Sequence, residues 1–204
     1  MAYLCVTGGL LQENCYVLYD ADTKDAAVID PGFIKDALLK AIEGLHVRYI
    51  LLTHGHFDHM MHADELKAIT GAPIVSLDLE KALAEDAALN GSLHLLRRVI
   101  TTKIDKTLRD GGELMIGSIP VRVLHTPGHT AGGCCYITPD AVFTGDTLMG
   151  YAVGRTDLPT GDTNALMQSL KKLTALPEHL AVLGGHGRAT TVGSEKQLNP
   201  YLNF

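Results

Sequence analysis

Thr53-His54-Gly55-His56-Phe57-Asp58-His59 follows the apolar run Val47–Leu52 and precedes a segment with helical spacing. Three imidazoles and a carboxylate therefore crowd the end of a predicted buried strand. A strand end is rigid, and the turn after it can aim several side chains at one point. His54 and His56, two residues apart, project to one side of an extended segment. Asp58 and His59 follow where the chain turns into the helix. Imidazole nitrogens with a carboxylate are the ligand set of zinc, or of iron or manganese. The bland alternative is a solvated polar loop, and the rest of the sequence argues against it.

Three more segments repeat the order of strand, glycine and ligand. Val121–Leu124 leads into His125-Thr126-Pro127-Gly128-His129-Thr130. Val142-Phe143 leads into Thr144-Gly145-Asp146-Thr147. Ala181–Leu183 leads into Gly184-Gly185-His186-Gly187. Each places a histidine or aspartate just past the carboxyl end of a strand, where ligands bind in α/β sheets. Glycine beside the ligand lets the backbone bend sharply and approach closely. A single such turn is weak. Four in one small domain predict a two-metal site.

Around these segments the chain alternates strand and helix signals. Cys15–Tyr19, Ala26–Ile29, Glu113–Ile116, Ile119–Leu124, Cys134–Ile137, Ala141–Phe143 and Ala181–Leu183 read as strands. Ile34–Ile42, His59–Ile69, Leu77–Leu89, Ser92–Val99 and Thr163–Leu173 read as helices, and Glu195–Leu198 as a helical turn. One α/β domain with helices on both faces accommodates this pattern.

The 204 residues are 46% hydrophobic and 20% charged, which excludes a disordered chain. A net charge of −6 gives a nucleic-acid partner no electrostatic support. No apolar run reaches the ~18 residues of a membrane span. The N-terminus lacks the basic start and long apolar stretch of a secretory signal. Cys5, Cys15, Cys134 and Cys135 form no CxxC and read as reduced thiols in a cytoplasmic protein. Cys134 and Cys135, adjacent in a strand, should face opposite sides of it.

The HxHxDH run, then TPGHT, TGDTL and GGHG in that order, resemble the metallo-β-lactamase superfamily. The resemblance extends from Asp30 in Val-Ile-Asp-Pro-Gly to Asn199-Pro200-Tyr201-Leu202. It implies an αββα sandwich with the metals at one edge of the two sheets, over 1–204 as a single domain. Within the superfamily the chain looks most like short glyoxalase II-like hydrolases, which Gly154-Arg155-Thr156-Asp157-Leu158 supports. The C-terminal helical domain of long glyoxalase II proteins is not expected. Carried over by residue, the resemblance implies that His54, His56 and His129 hold one divalent metal. Asp58, His59 and His186 then hold a second, with Asp146 bridging the two and Asp30 orienting a ligand histidine. Zinc is the expected metal, with iron or manganese as alternatives. The chain departs from the family at Met60-Met61-His62 and at Met149, both expected at the pocket rim.

The implied reaction is hydrolysis of an acyl thioester such as S-lactoylglutathione. Water held by a single zinc already has its pKa lowered from 15.7 to about 7. Asp58 is expected to position such a water, and the hydroxide to attack the acyl carbonyl. Met149, Tyr151 and Arg155 are candidates for the substrate pocket, with Arg155 also anchored by Asp157. His62 is expected at the rim and His125 at a strand end, while His46, His94 and His179 are expected on the surface. The main alternative is an iron-dependent persulfide dioxygenase, which carries a segment similar to Gly154–Leu158. A nuclease of this fold usually carries an added RNA-binding module. A true β-lactamase is disfavoured because Asp146 stands where many of them place cysteine. A metal-binding protein without turnover is the non-enzymatic alternative.

Overall fold

The computed structural model describes residues 1–203. The first sheet holds β1 (Ala2–Gly8), β2 (Glu13–Tyr19), β3 (Asp25–Ile29), β4 (His46–Leu51), β5 (Ile74–Leu77) and β6 (Lys106–Leu108), in sequence order across the sheet. The first three strands run antiparallel, and β3 to β6 run parallel. Parallel pairing needs crossovers, and α1 (Asp36–Ala41), α2 (Phe57–Met60) and α3 (Ala63–Thr70) lie within them.

The second sheet is built from β7 (Glu113–Ile116), β8 (Ile119–His125), β9 (Cys134–Ile137), β10 (Ala141–Gly145), β13 (Ala181–Gly184) and β14 (Thr190–Thr191). The small hairpin of β11 (Leu148–Met149) and β12 (Ala152–Val153) follows β10. Two short helices, α4 (Lys81–Ala84) and α5 (Ser92–Leu96), stand between β5 and β6. Two longer ones, α6 (Thr163–Thr174) and α7 (Val192–Leu198), belong to the second half.

Three apolar layers follow from side-chain alternation on the strands. Tyr16, Leu18, Ile29, Leu51, Val121 and Phe143 meet between the sheets. Cys15, Val17, Val28, Ile50, Leu38 and Leu66 join the outer face of the first sheet to α1 and α3. Val142, Val182, Leu166, Leu170 and Val192 join the second sheet to α6 and α7. The molecule is thus an αββα sandwich. Cys134 lies in the central layer and Cys135 in the outer one, on opposite faces as the strand period requires. No helix among the described residues is long and apolar enough to cross a membrane.

Several elements differ from the sequence-based expectation. The helix predicted over Leu77–Leu89 is broken. Leu77 ends β5, paired with Leu108, and a 3-10 turn at Asp78–Glu80 precedes the four-residue α4. The Asp86 carboxylate then accepts the amides of Ala88 and Leu89, closing a turn. Strand pairing and side-chain capping override the high helix propensity of this Ala/Leu/Glu-rich stretch. The helix predicted over His59–Ile69 divides into α2 and α3, where the His62 amide binds the Pro31 carbonyl. It ends at Gly71, with φ at +74°, as the glycine predicts. Edge strand β1 had no clear sequence signal because most of its side chains remain exposed.

Candidate metal centre

The ligand-bearing segments lie beyond the carboxyl ends of β4, β8, β10 and β13, at one edge of the sandwich. His54, His56 and His129 offer nitrogens within 4.8 Å of one another, as do the ligand atoms of Asp58, His59 and His186. Asp146 stands between the two groups. Its Oδ1 is 3.4 Å from His59 Nε2, and its Oδ2 is 3.7 Å from His129 Nε2 and 3.6 Å from His186 Nε2. Asp58 Oδ2 lies 3.3 Å from His186 Nε2 and 3.5 Å from His59 Nε2. All seven residues named from the sequence thus gather in one cluster.

Hydrogen bonds behind the cluster set which nitrogens face into it. The Thr53 hydroxyl donates to Asp30 Oδ2 at 2.6 Å, so its oxygen is left to accept from His54 Nδ1 at 3.1 Å. His59 Nδ1 donates to the same Asp30 oxygen at 3.0 Å. His129 Nδ1 donates to the Arg155 carbonyl at 2.8 Å. In each ring Nε2 is the nitrogen turned toward the cluster, the one a metal ligand offers, and that of His129 lies 2.9 Å from His56 Nδ1. The Thr53 amide also donates to Asp30, at 2.7 Å.

Two electrostatic features suit cations. Burial, then the surrounding imidazoles, hold the His54 pKa well below the ordinary histidine value. Burial and the adjacent His129 lower His56 to about 3. These rings remain neutral donors. Burial disfavours charge on His59, but Asp146, Asp58 and Asp30 outweigh it and raise its pKa. Burial likewise opposes ionisation of Asp58, but His59 and His186 hold its carboxyl well below the usual range. Three carboxylates in so enclosed a place are costly without compensating positive charge.

The fit is visible in the atoms left over. His54 Nε2, His59 Nε2 and Asp146 Oδ1 are buried and have no hydrogen-bond partner. Buried polar atoms in proteins are normally satisfied, and these three belong to the groups that converge here. The donor set is suited to binding divalent metal ions.

Glycine makes room for this approach. A Cβ added at Gly185 would run into Asp146 Oδ1 and the His59 ring. Glu80, 1% exposed, was not singled out from the sequence. Its Oε1 accepts the amide of Gly55, between His54 and His56, at 2.9 Å. Burial raises its pKa to about 7. A carboxylate in a predicted helix gave no signal of this role.

A cleft of about 470 Å³ opens over the cluster. Met149 and Arg155 line it and Tyr151 does not; the Tyr151 ring stacks with the Arg188 guanidinium at 4.8 Å. Tyr151 has a φ of +72°, in the turn of the β11–β12 hairpin. Arg155 is clamped by Asp157 through two hydrogen bonds of 2.6 Å. His94, expected on the surface, is exposed but lines the cleft, with Leu11 and Leu95. The apolar pair Leu10-Leu11 beside a Gly-Gly turn was the available clue to the hairpin tip. His62 Nδ1 donates to the Gly32 carbonyl at 2.9 Å, and His125 Nε2 to that of Ala131 at 2.9 Å. Neither ring joins the cluster.

The model of the metallo-beta-lactamase superfamily matches residues 8–186. The hydroxyacylglutathione hydrolase GloC of Haemophilus influenzae is 37% identical over 199 residues, covering 94% of this chain and 93% of its own. The probable metallo-hydrolase YqgX of Bacillus subtilis is 40% identical over 201 residues, covering 96% and 94%. Among solved structures, the BLEG-1 B3 metallo-beta-lactamase aligns over all of both chains, with a TM-score of 0.93 and 38% identity. TTHA1623 in a di-iron-bound form aligns over 98% of this chain and 100% of its own, with a TM-score of 0.84 and 36% identity. With its sandwich, its ligand order and these relatives in agreement, the chain belongs to the metallo-beta-lactamase superfamily.

Proposed function

We propose that the protein is a dinuclear metal-dependent hydrolase that cleaves an acyl thioester, in the manner of glyoxalase II. The observation that carries this reading is the pair of three-ligand groups flanking Asp146, with buried, unpartnered atoms in both. In this reading His54, His56 and His129 hold one cation, Asp58, His59 and His186 the other, and Asp146 both. Bound there, divalent cations supply Lewis acidity toward a carbonyl oxygen and lower the pKa of water.

The chain's own groups have distinct roles. The Asp58 carboxylate, kept ionised by its histidine neighbours, accepts a hydrogen bond from an O–H group and orients it toward the cleft. Asp30 fixes His59 directly and His54 through Thr53. No serine or cysteine nucleophile is needed. Zinc suits the imidazole and carboxylate donors, and the di-iron form of TTHA1623 keeps iron in view. The four free thiols support a reducing, cytoplasmic setting.

The test is elemental analysis of the purified protein beside a substrate panel. Two equivalents of metal and hydrolysis of thioesters, S-lactoylglutathione included, are expected. One iron with oxygen uptake on a persulfide would instead establish a dioxygenase. A β-lactam belongs in the panel because of the likeness to BLEG-1, and its preferential cleavage would overturn the thioester reading.

A further inference from the structure

We propose that the cleft selects thioesters with an aliphatic acyl chain and an uncharged thiol arm, in preference to glutathione conjugates. This rests on the thioester reading above and goes beyond it by naming the substrate class. The walls of the cleft include Leu11, Leu89, Leu95, Met149, Leu158 and Pro159. Leu11 is 52% exposed and Leu95 is 65% exposed. They come from separate elements, the β1–β2 tip and α5, and both border the same cleft. Apolar side chains gathered at the mouth of a reactive site mark the place where an apolar ligand is covered.

The tip is a fixed feature. Glu13, fully buried, accepts the Leu11 amide through Oε2 at 3.0 Å. The Asn14 amide binds the Gly185 carbonyl at 2.7 Å, so the tip is tied to the segment that carries His186. Leu11 is therefore held at the border of the cleft.

Charge gives the second half of the argument. Glutathione carries two carboxylates and an ammonium, and each charge needs a partner when it leaves water. Among the described residues outside the ligand cluster, Arg155 is the only arginine or lysine lining the cleft, with the His94 imidazole beside it. Both carboxylate oxygens of Asp157 already engage the Arg155 guanidinium. Arg98 lines a separate depression with His62 and Glu65, and Lys35 lies over the Phe33 ring. A neutral amide-containing thiol arm makes no such demand.

The test uses the metal-loaded protein and two non-hydrolysable thioethers, S-hexyl-N-acetylcysteamine and S-hexylglutathione, titrated by calorimetry. The neutral thioether should bind about tenfold tighter, the scale of one unmet polar requirement. Leu95→Ser and Leu11→Ser should each weaken it roughly fivefold with metal content and circular dichroism unchanged, the scale of lost apolar contact. Equal or tighter binding of S-hexylglutathione would overturn the proposal. So would serine variants that bind the neutral thioether as well as the parent. Turnover of hexanoyl-N-acetylcysteamine and S-lactoylglutathione is measured in parallel. Hydrolysis of S-lactoylglutathione with no preference between the thioethers would defeat this inference and leave the thioester reading standing. A preference for the neutral thioether with no turnover of either ester would instead defeat the thioester reading, and this inference with it.

Discussion

Asp30 Oδ2 lies 3.0 Å from Nδ1 of His59, and the same oxygen receives the Thr53 hydroxyl that borders His54. One carboxylate thus orients a histidine in each of the two ligand groups. Replacement by a neutral amide should disturb both. Asp30→Asn is expected to lower metal affinity about 10- to 100-fold, the usual effect of removing a partner behind a ligand. Thr53→Val should have a smaller effect, confined to the group containing His54. Chelator competition, followed by metal release in two steps, distinguishes them; unchanged affinity in Asp30→Asn would refute the relay.

Asp146 connects the two groups, so its loss should act on both cations. Asp146→Ala and His56→Ala are expected to lose bound metal and thioester hydrolysis together. Elemental analysis alongside initial rates checks this, and a variant with full metal and full rate would remove that residue from the site.

Gly185 gives a steric test that leaves every ligand in place. An added methyl would press on Asp146 Oδ1 and the His59 ring. Gly185→Ala should therefore bind metal at least roughly tenfold more weakly, because ligand geometry must hold within fractions of an ångström. Its circular dichroism should match the parent. Isothermal titration with zinc reads the change.

Glu80 predicts a pH dependence of stability. Its ordinary value of 4.5 is raised to about 7 by burial. Between those limits the folded protein keeps a proton that the unfolded chain has released. The contribution of this group therefore falls as pH rises through the window, by about 3 kcal/mol in all, and is constant above it. Glu80→Gln retains an acceptor for the Gly55 amide and has no proton to lose. Relative to the parent, the variant should gain roughly 6–12 °C in Tm between pH 4 and pH 8. Parallel pH profiles of Tm for the two proteins would contradict this.

How much of this was legible in the sequence depended on distance along the chain. The His54–His59 run and the three glycine-flanked strand ends are local patterns, and the residues they name lie in one cluster. The alternation that sends Cys134 and Cys135 to different layers is also local. The break after Leu77 was not, because β5 pairs with a strand some thirty residues further on and pairing outweighs helix propensity. Tyr151, a candidate for the pocket, instead packs against Arg188 from a turn in which both it and Gly150 have positive φ, a contact between residues far apart in the chain.

By itself the sequence determined the chemistry of the donor set and its order along the strands, since ligand type and strand-end spacing are properties of neighbouring residues. Only the tertiary structure decided that Asp30 serves two histidines, that Glu80 holds the Gly55 amide, and that leucines from the hairpin tip and α5 wall one cleft. Those relationships join residues far apart in the chain, and burial and hydrogen bonding between them exist only once the two sheets have packed.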